Sequence, residues 1–245
     1  MVRYSNSLII QFAMLFIIFG KSIHAQELVQ KNNDKPKQGN YLYAGIGQST
    51  PNISEGHIYL TGVKYFMDPI PSSGVTGQLG GTFFIFKHWG LTGEFNGNYY
   101  FNGNTSNAYG AVVKSGHCKT GHLLGGIQYS ILIRKLAIDI KLKYGLAYFY
   151  SPEHTITFPG YSTGDYDQKS THAIGRSFNF GIGLRYQISQ RIGCFLSSEI
   201  YSDKVVFKNV NYVYNGVAST NYVPSQIIIG FVNTQLGIVL SLGRK

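Results

Sequence analysis

Between Leu136 and Tyr150 the chain alternates with a period of two. The even positions are Leu136, Ile138, Ile140, Leu142, Tyr144, Leu146, Tyr148 and Tyr150, while the odd ones include Asp139, Lys141, Lys143, Gly145 and Ala147. Successive side chains of an extended strand point to opposite faces, so this segment is a ribbon with one greasy and one polar side. The pattern returns from Ala173 to Ile188, with Phe178, Phe180, Ile182, Leu184, Tyr186 and Ile188 on one face and Gly175, Ser177, Asn179, Gly181, Gly183, Arg185 and Gln187 on the other. Strands of globular proteins cluster near about 5 to 6 residues. A tilted strand crossing a bilayer needs about 9 to 11, which both segments exceed.

Composition says what the greasy faces meet. Of the 245 residues only 13% are charged and 15% are aromatic, whereas an ordinary soluble domain carries about 25% charged residues. Something other than water is expected over much of this surface. The aromatic content excludes disorder, and two cysteines are too few for a disulfide scaffold. After the first 25 residues the chain has no uninterrupted apolar run that could form a membrane-spanning helix.

The same alternation marks eight candidate strands, at about 41–48, 76–86, 90–101, 120–133, 136–150, 173–188, 192–203 and 226–242. The links after the second, fourth and sixth are tight and centre on Lys87-His88-Trp89, Arg134-Lys135 and Ser189-Gln190-Arg191. Those after the first, third, fifth and seventh run to roughly 18 to 27 residues rich in Asn, Ser, Gly and Tyr. An even-stranded antiparallel meander with tight turns at one end and long loops at the other predicts an all-β, eight-stranded up-and-down transmembrane barrel in the outer membrane. Tyr99, Tyr148, Tyr150 and Tyr201 fall at the loop ends of their strands and Trp89 and Tyr186 near the turns, as interfacial aromatic girdles would. A soluble sandwich would need charged outer faces. Here the polar faces are mostly Gly, Ser, Thr and Asn, small enough for a narrow lumen.

The N-terminus predicts export. Arg3, the apolar stretch Leu8 to Gly20 and the short tail ending at Ala25 have the form of a secretory signal peptide over residues 1–25. Cleavage there lowers the formal charge from +10 to +8, because Arg3 and Lys21 leave with it. Residues 26–40 are expected to be a flexible periplasmic lead-in, and 41–245 the barrel.

Three segments carry a family resemblance: YLYAGIGQS from Tyr41 to Ser49, FGIGLRYQISQRIGCFLSSE from Phe180 to Glu199, and QLGIVLSL from Gln235 to Leu242. With the signal peptide they resemble the small outer-membrane β-barrel family of the OmpA transmembrane-domain and OmpX type, over nearly all of the mature chain. The resemblance implies that the last strand is read by the barrel-assembly machinery. It is specific for architecture and poor for activity, since such barrels include adhesins, tethers, narrow pores and a few lipid-modifying enzymes.

Parity places Glu94, Asp139, Lys141, Lys143, Arg185 and Glu199 inside, where unpaired charge is costly, so a mixed ion-pair network plugging the lumen is expected. His117, Cys118 and His122 form the densest group of metal-type ligands, at the base of a loop, but match no standard zinc spacing. No metal, cofactor or catalytic residue is assigned. His154, Asp165, Ser170 and His172 lie in or beside the third loop without a nucleophile–base signature. Cys118 and Cys194 fall near opposite ends of their strands and are expected to be free thiols. The basic residues gather at the turns and termini, forming no nucleic-acid patch.

The fourth loop, Val205 to Ser225, is unusually aromatic. Alternation from Phe207 to Tyr214 predicts a hairpin turning at Asn215-Gly216 above the membrane, with Phe207, Tyr212, Tyr214 and Tyr222 as its contact residues. The function expected is structural or adhesin-like, exercised by a monomer through its extracellular loops amid outer-membrane lipid and lipopolysaccharide, with an extracellular protein partner. A lipid-modifying enzyme or a narrow pore is the alternative.

Overall fold

The computed structural model describes residues 39–52, 57–60, 63–66, 73–101, 105–106, 112–157, 166–207, 210–214, 217–221 and 225–242. Residues 1–38, the signal-peptide segment and most of the lead-in, lie outside them. The strands, in chain order, are β1 Tyr41–Asn52, β2 His57–Leu60, β3 Val63–Phe66, β4 Gly74–Phe84, β5 Trp89–Tyr100, β6 Thr105–Ser106, β7 Val112–Ser115, β8 Cys118–Ile133, β9 Leu136–Ser151, β10 His154–Thr157, β11 Tyr166–Gln168, β12 Thr171–Gln187, β13 Ile192–Phe207, β14 Val210–Tyr214, β15 Val217–Asn221 and β16 Ser225–Ser241.

Eight of these, β1, β4, β5, β8, β9, β12, β13 and β16, are the period-two segments, and they close into an antiparallel barrel. β1 meets β16 from Tyr41 opposite Ser241 to Asn52 opposite Gly230, so no barrel strand is left with an open edge. A row of neighbours leaving Ala44 through Leu79, Phe95, Leu123, Leu146, Arg176 and Lys204 reaches β16 at Ile228, ten residues from Ile238, the direct partner of Ala44. That stagger tilts the strands by about 40°, and each row climbs towards the loop end as it circles the barrel.

The faces divide as the alternation requires. Leu42, Ile46, Leu79, Phe95, Leu123, Leu142, Ile182, Leu236 and Ile238 are all exposed on the outer wall, which is an apolar belt facing lipid. Inside, Thr76, Gln78, Asn96, Gln128, Asn179, Asn233 and Gln235 are buried among the charges. The tight turns fall where expected. β8 and β9 are joined through Arg134 and Lys135 alone, with Arg134 at φ 55°, the left-handed conformation that two-residue hairpins demand.

Several strands run past their predicted upper ends, β13 to Phe207 and β9 to Ser151. There the inside becomes apolar: Phe149, Val205, Phe207, Ile229 and Phe231 are fully buried, and Phe149 meets Phe207 edge-on at 5.9 Å. Above this core three of the four long connections knit into one sheet of order β15-β14-β11-β10-β7-β6, while β2 and β3 pair apart.

Gly125 and Gly126 offer a matched test of packing. A Cβ on Gly126 would run into the backbone of Leu142 and Lys143, whereas one on Gly125 would meet nothing within 4 Å. Gly126→Ala is expected to destabilise the barrel by about 1–3 kcal/mol through overpacking, and Gly125→Ala to leave urea unfolding in detergent unchanged. The belt is tested by depth. Ile182 lies five residues above the end of β12 and Ile174 thirteen above it, roughly 12 and 30 Å up at this tilt. Ile182→Arg is therefore expected to cost about 2–4 kcal/mol and Ile174→Arg about 0–1 kcal/mol. Equal costs in lipid vesicles would contradict the membrane placement.

Candidate functional site: the lumen and the extracellular sheet

The six charged residues expected inside are all buried in the lumen, where the strands bring them together in two layers. In the lower layer Arg185 grips Asp139 with two nitrogens, Nε to Oδ2 at 3.0 Å and Nη2 to Oδ1 at 3.3 Å. Its guanidinium also lies 4.2 Å from the centroid of the Tyr41 ring. Ser130 donates to the same carboxylate at 2.5 Å, and Gln128 links Ser130 to the Tyr41 hydroxyl. A cavity of about 10 Å³ among Tyr41, Asp139, Lys141 and Arg185 leaves room for at most one water.

In the upper layer the Lys143 ammonium bridges two carboxylates, Glu94 at 2.5 Å and Glu199 at 2.8 Å. The Tyr201 hydroxyl lies between the two carboxylates, 3.0 Å from Glu94 and 2.9 Å from Glu199, with one proton to donate to either, and Tyr43 donates to Glu94 at 2.7 Å. Lys141 is 3.5 Å from Glu199 and 4.2 Å from the centroid of Tyr43. Desolvating these ions would be prohibitive singly. Held together, with Tyr43 and Tyr201 hydrogen-bonded to the carboxylates and only Glu199 Oε1 left to the Lys141 charge, they form a cross-brace between opposite walls.

Three placements differ from expectation. Tyr201 is fully buried in the lumen rather than in the outer girdle, because the inward parity of Glu199 continues through it. His117, Cys118 and His122 are not a loop cluster. His117 is exposed and lies beside Tyr99 at 5.1 Å, while Cys118 and His122 point into the barrel from β8. His122 Nε2 sits 2.7 Å from Asp203 Oδ2, with Tyr201 tilted over its ring at 4.8 Å. This pair was missed in the sequence although its parity was readable, since the alternation within the predicted strands 120–133 and 192–203 already puts both residues inside. Phe207, expected as an external contact, is turned inward and packs in the upper core.

The other fourth-loop expectations sit on the extracellular sheet. Tyr212 and Tyr214 lie on β14, which pairs with β15 on one side and with β11 on the other. Tyr222 lies outside the described residues. Lys169 donates to Glu153 at 2.6 Å, and that hydrogen bond and charge hold the Lys169 pKa above its ordinary value. Backbone bonds from Gly116 to Glu153 and from Lys169 to Asn211 tie the connections together, at 3.0 and 2.9 Å. Of the third-loop residues considered for chemistry, His172 stacks outward beside Tyr148 at 6.3 Å, Ser170 is exposed, and Asp165 lies outside the described residues. Both described cysteines are free.

No family model matches the chain, and no curated protein matches it in sequence. Solved structures do resemble it. The outer membrane protein OprG of Pseudomonas aeruginosa is 12% identical with a TM-score of 0.50, over 85% of this chain and 98% of that one. The outer membrane protease OmpT of Escherichia coli is 8% identical with a TM-score of 0.53, over 86% of this chain and 99% of that one. At such identities what is shared is the fold, that of an outer-membrane β-barrel.

The brace makes a sharp stability prediction. Lys143→Met leaves Glu94 and Glu199 facing each other without their bridging cation, and Arg185→Ala strands Asp139. Each is expected to cost about 3–5 kcal/mol. In the triple variant Glu94→Gln, Lys143→Met, Glu199→Gln most of the Lys143→Met loss should be recovered. Unfolding midpoints in detergent read all three, and an unchanged midpoint for Lys143→Met would remove the brace from the account.

Proposed function

We propose that this protein is exported through its N-terminal 25 residues, is inserted by the barrel-assembly machinery, and stands in the outer membrane as a monomer with a plugged lumen that presents an extracellular protein-binding sheet. The observation that carries this is the edge of that sheet. Among the described residues β15 pairs only with β14, and its far side carries backbone N–H and C=O groups that no described strand takes up. Natural proteins usually blunt such an edge with Lys, Pro or a bulge. The hairpin strands Val210–Tyr214 and Val217–Asn221 contain no charge and no proline, and Val217 is 68% exposed. An unblunted edge held above the membrane is suited to pairing with an extended segment of another protein.

The lumen supports a scaffold role more than a pore. Ion pairs and tyrosines cross it at two levels, and the apolar core around Phe149 and Phe207 lies above them. Neither the braces nor the sheet supplies an activated nucleophile.

Deleting Lys208 to Thr220 removes the hairpin without touching the spanning strands. The variant is expected to keep heat-modifiable gel migration, and no steady conductance should arise in planar bilayers from parent or variant. Binding to matrix proteins, serum proteins or cells should fall to background. A deletion variant that binds as the parent does would leave only the structural role.

A further inference from the structure

The outer wall carries few charges, and they share a sign and lie towards the loop ends of their strands. On the outward positions of the eight barrel strands the charged residues are Lys119, Arg176 and Lys204; every acid of those strands points inward. Lys119 has aromatic company, with the Tyr99 and Tyr150 ring centroids 5.7 and 5.9 Å from its ammonium. Among the described residues no ring lies over Arg176 or Lys204. They stand directly opposite each other on β12 and β13, both exposed.

Like charges directly opposed across two strands destabilise the pair. The neighbours along that row are Leu146 and Ile228, and the next outward residues of β12 are Ile174 and Phe178. Among the described residues no carboxylate forms an ion pair with either cation. The anion that would relieve the repulsion must therefore come from outside this wall.

Height identifies it. Arg176 is eleven residues above the lower end of β12 and Lys204 twelve above that of β13, which at this tilt is about 25–30 Å. The apolar band of such barrels is about 25 Å tall, so both cations stand at the headgroup level of the extracellular leaflet. Tyr144 and Tyr148, exposed on the adjoining strand, mark the same interface. Below lies the greasy wall of Phe178, Phe180 and Ile182. We infer that Arg176 and Lys204 together clamp a phosphate group of an anionic lipid in the extracellular leaflet, with its acyl chains lying down the face of β12.

The test uses the full-length barrel in phosphatidylcholine vesicles, titrated with lipid A as the bisphosphorylated probe and read by native mass spectrometry of the released complexes. Each basic side chain beside an anionic lipid surface is worth about a fivefold factor in binding. The double substitution Arg176→Gln, Lys204→Gln is thus expected to weaken lipid A binding about 30-fold, and Lys119→Gln by no more than about fivefold. Equal weakening by Lys119→Gln would mean diffuse attraction and would overturn the clamp, as would parent-like binding by the double variant. Inorganic phosphate is expected not to compete; if it displaces lipid A, the site belongs to a free anion and the lipid assignment falls. A second readout needs no variant. In the parent, lipid A should slow acetylation of Lys204 several-fold while leaving Lys119 unaffected, and equal rates at both lysines would also overturn the inference.

Discussion

Inside hydrocarbon a backbone N–H or C=O without a partner costs several kcal/mol, and the seam between β1 and β16 is where this chain meets that constraint. The first and last barrel strands are far apart in sequence, yet they must pair from Tyr41–Ser241 to Asn52–Gly230 before the ring has no free edge. Once the ring closes with its ten-residue stagger, the tilt, the division into inward and outward faces and the height of every side chain follow. The ion-pair brace is then a product of closure. Glu94, Lys143 and Glu199 come from three strands, β5, β9 and β13, of which no two are neighbours in the barrel.

Much of this was legible because the medium outside the wall is uniform. Between Leu136 and Tyr150 lipid demands an apolar residue at every outward position, so parity alone placed Asp139, Lys141 and Lys143 inside. The two-residue link at Arg134-Lys135 fixed the phase of the next strand without ambiguity. Legibility failed where the medium changes. Beyond the headgroups water lies outside and no polar lumen is needed within, so the apolar residue moves to the inner face. Phe207, with its aromatic neighbours in a loop-length segment, then looks like a surface contact although it is core. His122 and Tyr201 were misjudged for a related reason. Both lie within the strands that the alternation marks, 120–133 and 192–203, but were assigned by side-chain type, when the alternation itself turns both inward. Which carboxylate Arg185 would take was not legible at all, since parity cannot say which of two lumen acids, Asp139 or Glu94, lies within reach.

The extracellular sheet inherits its order from the barrel. β7 lies beside β10 as β8 lies beside β9, and β11 beside β14 as β12 beside β13. The connections between strands thus continue the wall upward for part of its circumference. The first connection, which holds β2 and β3, forms its own pair, and this leaves β15 as a margin of the sheet among the described residues. A continuous sheet would have had none.

The inward shift of apolar residues above the headgroups means that this chain folds in two solvents. Below, lipid accepts the greasy outer wall and the interior is held mainly by ions and hydrogen bonds, beside a small cluster of Tyr41, Tyr43, Phe195 and Val239. Above, Phe149, Val205, Phe207 and Phe231 gain their stability by leaving water, as in a soluble domain. They can do so only after the strands bearing them have been threaded to the far side and joined. The outer cap is therefore the youngest structure in the molecule's assembly. Its melting should answer to temperature and salt outside the cell, while the ring beneath it answers to the thickness of the bilayer.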